Sequence, residues 1–215
     1  MQVAGNDVKV VERFTYLGTQ ISKDGSCEAE ISRRIAITRD CVRALQRHIW
    51  CSSIMVVTKV RLLNAYVLPV LLCGAETWSL TAALEKKLDA FHQWCLRRLL
   101  RLSYLLHVTN VEVLRLTRQT QLSTTLRDRR LRFFGHIAKA NSRMDHTRAL
   151  RSIISGLPRD WKRLPGRPRR TWLRTIKQVL RPLNIGLVSA WQRAQDRERW
   201  KRTVETAMHH DGICS

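Results

Sequence analysis

The chain has 215 residues, with 39 Lys and Arg against 17 Asp and Glu, and a formal net charge of +22. This charge is atypical of an ordinary soluble enzyme and indicates a polyanionic partner. Hydrophobic residues make up 44% of the chain, which is enough for a buried core in one or two small domains. The apolar run at 67–72 is too short to span a membrane, which needs about 20 apolar residues.

The positive charge is concentrated in the second part of the chain. Residues 1–90 contain 12 Lys and Arg and 9 acids, whereas residues 91–215 contain 27 and 8. Arg outnumbers Lys 30 to 9, and the planar guanidinium can grip a phosphate with two hydrogen bonds. The chain has no lipidation motif and no basic helix with a wide apolar face. We therefore expect RNA or DNA as partner, rather than a membrane surface or a small-molecule substrate.

The cysteine pattern gives no indication of a disulfide framework or a zinc site. The six cysteines lie at positions 27, 41, 51, 73, 95 and 214, and no two have the Cys-x-x-Cys spacing typical of zinc ligands. No signal peptide opens the sequence. We expect reduced thiols, an intracellular, nuclear or nucleocytoplasmic location, and no metal or cofactor held by this chain.

The first elements in chain order are a β-hairpin and a helix. Residues 1–25 are rich in β-branched residues, and Gly5, Asn6 and Asp7 predict a turn between two strands. Residues 26–50 have apolar residues at helical spacing, with arginines on the other sides. Taken by themselves, these arginines, Arg33 and Arg34 among them, are explained by a solvated helix face.

Helical periodicity continues over the next segments, and predicts a helical bundle over 26–138. A helix at 53–73 contains Pro69, which bends it by removing a hydrogen bond. Residues 81–103 form the clearest amphipathic helix, and Thr109 and Asn110 cap another. Residues 121–138 form a helix in which we interpret His136 as structural rather than catalytic. This helix carries a cluster of candidate nucleic-acid contacts: Arg127, Arg129, Arg130 and Arg132. We expect Arg127 and Arg130 to share its outer face.

Residues 139–170 are rich in Gly and Pro, and predict a basic linker with one short helix near 146–154. Arg167, Arg169 and Arg170 follow or flank Gly166 and Pro168, as in extended arms that enter narrow minor grooves. They are candidate nucleic-acid contacts, and a solvated basic linker is the alternative.

A small helical unit at 171–208 follows, with a tail at 209–215. Thr171 begins one helix, which carries Arg174 as a further candidate contact, and residues 188–208 form the last helix. We expect Trp172, Trp191 and Trp200 to form a satellite core, while stacking on unpaired bases is the alternative.

Several of these segments resemble one family. Residues 71–78, LLCGAETW, are similar to the LLYGAETW motif that follows the polymerase core in reverse transcriptases of LINE-type (non-LTR) retrotransposons. Similar family motifs occur at 14–25 (FTYLGTQISKDG), 88–100 (LDAFHQWCLRRLL), 127–136 (RDRRLRFFGH), 166–172 (GRPRRTW) and 194–202 (AQDRERWKR). The sequence departs from the family pattern at Tyr104 and Leu106, where the family has Trp and Asp.

The resemblance implies a mostly α-helical thumb and post-polymerase region, preceded at 1–25 by the edge of the palm. In the family the thumb lies along the minor groove of the template–primer duplex, so the resemblance makes Arg33 and Arg34 candidate phosphate contacts. The chain has no Tyr-x-Asp-Asp motif and no carboxylate cluster for two metals, so we expect no enzymatic activity. The parent polyprotein, with its endonuclease and Mg-dependent RNA-directed DNA polymerase, would be longer, and its palm would be a partner. The expected function is to hold RNA or template–primer duplex. The alternative is a helical interaction module, adopted by a host, that docks on acidic proteins.

Overall fold

The computed structural model describes residues 2–3, 6–7, 11–156 and 171–210. Over these residues the fold is mostly α-helical with short antiparallel β-hairpins at the N-terminal end, as the sequence predicted. The chain divides into two compact units. The first unit comprises 1–74 and 81–119, and the second comprises 75–80 and 120–215.

Two hairpins precede the helices. Strand β1 (Gln2–Val3) pairs with β2 (Asn6–Asp7), so Asn6 and Asp7 belong to a strand rather than to the predicted turn. Strand β3 (Arg13–Tyr16) pairs with β4 (Thr19–Ser22). Leu17 and Gly18 connect β3 to β4 with φ of 47° and 77°, the left-handed backbone of a two-residue hairpin turn.

The first unit contains five α-helices in its described part. They are α1 (Glu28–Ala44), α2 (Val56–Leu62), α3 (Leu68–Leu71), α4 (Ala82–Leu99) and α5 (Asn110–Thr117). The amphipathic stripe predicted at 81–103 is confirmed in α4. Its apolar positions at steps of four and three are buried: Leu84, Leu88, Phe91, Cys95 and Leu99.

The helix predicted at 53–73 is interrupted. A π-helical segment, Leu63–Val67, separates α2 from α3, and Pro69 lies in the first turn of α3. Proline has no N–H to donate, and its ring clashes with the carbonyl four residues earlier. Widening of the turn before Pro69 relieves that clash, so the helical backbone continues past the proline to Leu71.

The second unit contains the remaining described helices and the short segment 75–80. The helices are α6 (Leu122–Lys139), α7 (Asp145–Ser155), α8 (Trp172–Leu180), α9 (Leu187–Ala194) and α10 (Arg197–His210). Helix α6 was predicted within the bundle at 26–138, but the structure places it in the second unit, where it packs on α7, α8, α9 and α10. Helix α7 lies at the position of the short helix predicted near 146–154.

The core of the second unit is built around Phe134 of α6. The rings of Trp172, Trp191 and Trp200 lie with centroids 6.3, 6.3 and 5.5 Å from it. This confirms the predicted tryptophan core. The helix predicted at 188–208 is divided into α9 and α10, because Asp196 accepts hydrogen bonds from backbone N–H groups of the first turn of α10 and so caps it.

None of the helices in the described ranges combines the length and the apolar content needed to cross a bilayer.

Candidate nucleic-acid interface

The two candidate arginines of α1 form an ion-pair network within the first unit. The Nε atoms of Arg33 and Arg34 lie 2.8 and 2.7 Å from the carboxylate of Glu30, and both guanidinium groups also donate to the Gly18 carbonyl. Burial raises the pKa of Glu30, but hydrogen bonds from Arg33, Arg34 and the Gln20 N–H outweigh it and hold that pKa below its ordinary value. Arg34 is only 8% exposed. The network fixes the β3–β4 turn to α1 and leaves little of Arg34 for a phosphate.

The arginine cluster of α6 is also largely engaged within the protein. Arg130 is 1% exposed, so the expectation that it shares an outer face with the half-buried Arg127 is wrong. The reason is its spacing, four residues after Leu126 and four before Phe134, which places all three on the buried face. Arg132 donates to both carboxylate oxygens of Asp128, at 2.9 and 2.8 Å.

The remaining arginine of this cluster, Arg129, contacts the GAETW segment. Its guanidinium lies 3.7 Å from the Glu76 carboxylate, and Trp172 Nε1 donates to the Glu76 carbonyl at 2.7 Å. Residues of three sequence motifs therefore meet at Glu76. Their contacts hold the segment 75–80 within the second unit, which is a structural role.

The three linker candidates, Arg167, Arg169 and Arg170, lie outside the described residues, and their role stays a prediction.

The tenth candidate, Arg174, lies on a basic surface of the second unit that we call the C-terminal groove. The groove consists of two cavities, of about 710 and about 510 Å³, which share Ile185 in their lining. The larger cavity has α8 on one side. The cations on this side are Arg174 and Lys177, three residues apart on one face of α8, and Arg181, the C-cap residue of α8, which begins a 3-10 turn.

The other side of the larger cavity is uncharged. It is formed by Asn184, Ile185 and Gly186, which connect the end of α8 to α9. Asn184 has a left-handed backbone, with φ of 53°, and its backbone N–H donates to the Arg181 carbonyl at 3.0 Å. Gly186 is the N-cap residue of α9 and has no side chain to accept from the first turn.

The smaller cavity is lined by cations of the last two helices. Arg193 belongs to α9, while Arg199 and Arg202 are three residues apart on α10. The hydroxyls of Thr203 and Thr206 complete the polar part of the wall, and each donates to a carbonyl of its own helix.

The six groove cations are electrostatically available. Within the described ranges, none of them forms an ion pair, and neither cavity is lined by a carboxylate. The nearby Asp196 is occupied as the cap of α10. The backbone hydrogen bond from Arg199 lowers its pKa most, and the charges of Arg202 and Arg199 add to this effect. Residues 171–210 contain eight Lys and Arg against three acids, so the groove has a strongly positive potential.

Sequence reasoning identified Arg174 but missed the other five groove cations. A signal for part of the set was present. Arg174, Lys177 and Arg181 recur at helical spacing, as do Arg199 and Arg202. The apolar stripe of the same helices predicts the core, and the charged positions between its members are the part of the pattern that indicates a shared basic face.

A metal centre is not formed by the part of the chain that the structure describes, since no three His, Cys, Asp or Glu side chains there are grouped so that they could hold an ion.

The chain is similar in sequence to a transposon-derived protein. Over 205 residues, the chain is 26% identical to an uncharacterized transposon-derived protein of Caenorhabditis elegans, and the match covers 90% of this chain and 70% of the relative. No family model and no solved structure matches the chain. The similarity is consistent with a transposon-related origin.

Proposed function

We propose that the chain binds RNA or DNA through the C-terminal groove, as the thumb and post-polymerase region of a LINE-type reverse transcriptase polyprotein. The observation that carries this proposal is the set of six cations around two adjoining cavities, without ion pairs to described carboxylates. Five of the six are arginines, which suit bidentate contacts with phosphate.

The energetic basis is counterion release. Nucleic acid holds a condensed layer of cations, and each phosphate neutralised by Lys or Arg releases some of them into solution. Cations already paired with Asp or Glu gain less, because binding must first break an existing ion pair. The groove is therefore a better candidate than α6, where Arg129 and Arg132 are paired with Glu76 and Asp128.

The LINE-type origin is supported by the order of the motifs along the chain and by similarity to a transposon-derived protein. The chain contributes binding and no polymerase chemistry, since the Tyr-x-Asp-Asp motif does not occur in it. The palm of the parent protein is the proposed partner, and the Mg ions of the reaction belong to that palm. An intracellular location, nuclear or nucleocytoplasmic, follows from the same proposal.

Combined substitution of Arg174→Gln, Lys177→Gln and Arg181→Gln tests the groove. Affinity for a duplex and for an RNA of similar length is measured by fluorescence anisotropy over a salt series. We expect weaker binding and a salt slope that is shallower by up to about 0.9 for each lost duplex phosphate contact.

The matched control replaces three exposed cations of the first unit by Gln, namely Arg47, Arg61 and Lys86, which removes the same charge. If the control variant loses as much affinity and slope as the groove variant, binding follows total charge and the groove proposal fails.

Docking on acidic proteins is separated from nucleic-acid binding by competition. Labelled RNA on the full chain is challenged with heparin, with structured RNA and with polyglutamate. We expect structured RNA to compete at a lower concentration of charge than polyglutamate. A polyglutamate competitor as effective as RNA would favour the protein-docking alternative.

A further inference from the structure

We infer that the larger cavity of the C-terminal groove receives an unpaired nucleotide, so that the groove binds single strands through base and phosphate together. This inference rests on the proposed function and specifies the class of nucleic acid. Its basis is the division of the cavity into a charged side and an uncharged side. A surface that binds only a phosphate backbone needs the first side alone.

The charged side suits a phosphate. Arg174 and Lys177 lie on one face of α8, Arg181 follows as its C-cap residue, and all three are exposed. A phosphate beside them gains charge-assisted hydrogen bonds with no carboxylate in the lining to oppose it.

The uncharged side suits a nucleobase. Ile185 contributes a small apolar part of the lining, since it is 5% exposed, and Asn184 contributes an amide that both donates and accepts hydrogen bonds. The Asn184 amide forms no hydrogen bond with a described residue and is exposed. Gly186 adds no side chain, and a Cβ built on it would meet no atom within 4 Å, so this part of the cavity is open.

The size of the cavity agrees with a ligand larger than a phosphate. Its volume of about 710 Å³ falls within the range of about 300–1,000 Å³ typical of small-molecule sites. A base in a duplex is stacked and paired, and cannot enter a cavity without leaving the helix. An unpaired nucleotide is free of that constraint, which is why the inference concerns single strands.

The smaller cavity extends the same arrangement. It places Arg193, Arg199 and Arg202 beyond Ile185, which lines both cavities. A strand with one base in the larger cavity can therefore direct its next phosphate toward a second set of cations.

The experiment compares three ligands on the full chain by anisotropy: a short oligodeoxythymidine, the same backbone with abasic sites throughout, and a duplex of equal length. We expect the oligodeoxythymidine to bind more tightly than the abasic backbone. Asn184→Gly keeps the left-handed backbone accessible and removes the amide, so it should weaken oligodeoxythymidine binding about 3- to 10-fold and leave abasic binding unchanged. Gly186→Leu fills the open part of the cavity and should lower oligodeoxythymidine affinity toward the abasic value.

The outcomes separate this inference from the proposed function. Equal affinity of the wild type for oligodeoxythymidine and for the abasic backbone overturns the nucleotide inference. The inference is also overturned if Asn184→Gly and Gly186→Leu both leave the ratio of these two affinities unchanged. Neither result affects phosphate binding by the groove. The combined Arg174, Lys177 and Arg181 variant should bind all three ligands more weakly than the wild type. If its affinity for all three is unchanged, the proposed function itself is overturned.

Discussion

The side chain of His92 lies inside the first unit with its charge suppressed. It projects from α4 and is 2% exposed, and its Nε2 has no hydrogen-bond partner among the described residues. Burial lowers the pKa of His92 to about 4, against a small opposing effect from Asp89. The imidazole is therefore neutral in the folded protein near neutral pH, and it packs as part of the apolar core.

We predict that the first unit loses stability as the pH falls from about 7 to 5. The unfolded chain protonates His92 near pH 6.5, whereas the folded chain resists protonation until about pH 4. The unfolded state therefore binds more protons in this window, and the free energy of unfolding should drop by about 2 kcal/mol. Denaturant unfolding at a series of pH values measures this, with His92→Gln as the non-titrating control. Identical pH dependence of wild type and His92→Gln would contradict the prediction.

Helices α6 and α10 approach each other closely at Gly135. The indole of Trp200 occupies the space that a Cβ at this position would need, and Trp200 Nε1 donates to the Leu131 carbonyl at 3.0 Å. The glycine in the segment RFFGH therefore has a packing role, and His136 beside it is exposed rather than buried. This contact is part of the reason why α6 belongs to the second unit.

We predict that Gly135→Ala destabilises the second unit by about 1–3 kcal/mol, because the rigid indole must shift. The better helix propensity of Ala, worth about 1 kcal/mol, offsets part of this loss. The measurement is denaturant unfolding, and Gly186→Ala serves as control. A Cβ at Gly186 contacts nothing within 4 Å, so only a cap effect is expected there. A Gly135→Ala variant as stable as the control would show that α6 and α10 tolerate separation.

At the scale of the whole molecule, residues of the sequence motifs make contacts that build the second unit. Glu76, Arg129, Trp172 and Trp200 come from four motifs, and each makes its described contacts inside the second unit. The surface left for a polyanion is a groove outside those contacts. The residues that carry the resemblance therefore also contribute to the folding of the second unit.

We predict that the purified chain incorporates no nucleotide in a primer-extension assay with Mg or Mn, with an active reverse transcriptase as positive control. The physical reason is that two-metal phosphoryl transfer needs paired carboxylates, and the Tyr-x-Asp-Asp motif that supplies them in the family does not occur in this sequence. Incorporation that is abolished by a substitution within the chain would overturn this prediction.

The sequence by itself determined the helical class, most helix positions and the tryptophan core. These depend on local spacing: the stripe of α4 repeats every three or four residues, and Thr171 accepts from the Arg174 N–H to begin α8. Periodicity also identifies which face of one helix is buried, so the burial of Arg130, which lies four residues from both Leu126 and Phe134, could be predicted from the sequence.

Only the tertiary structure decided which helices pack together and which cations line the C-terminal groove. Local spacing does not show to which of the two units α6 belongs, since its apolar face could pack against many others. The fit of Gly135 against Trp200 is part of what places α6 in the second unit. The groove joins cations of α8 with those of α9 and α10, which are separated along the chain by the turn at 184–186. Such a surface exists only once α8, α9 and α10 have packed on α6, and no pattern within one helix encodes it.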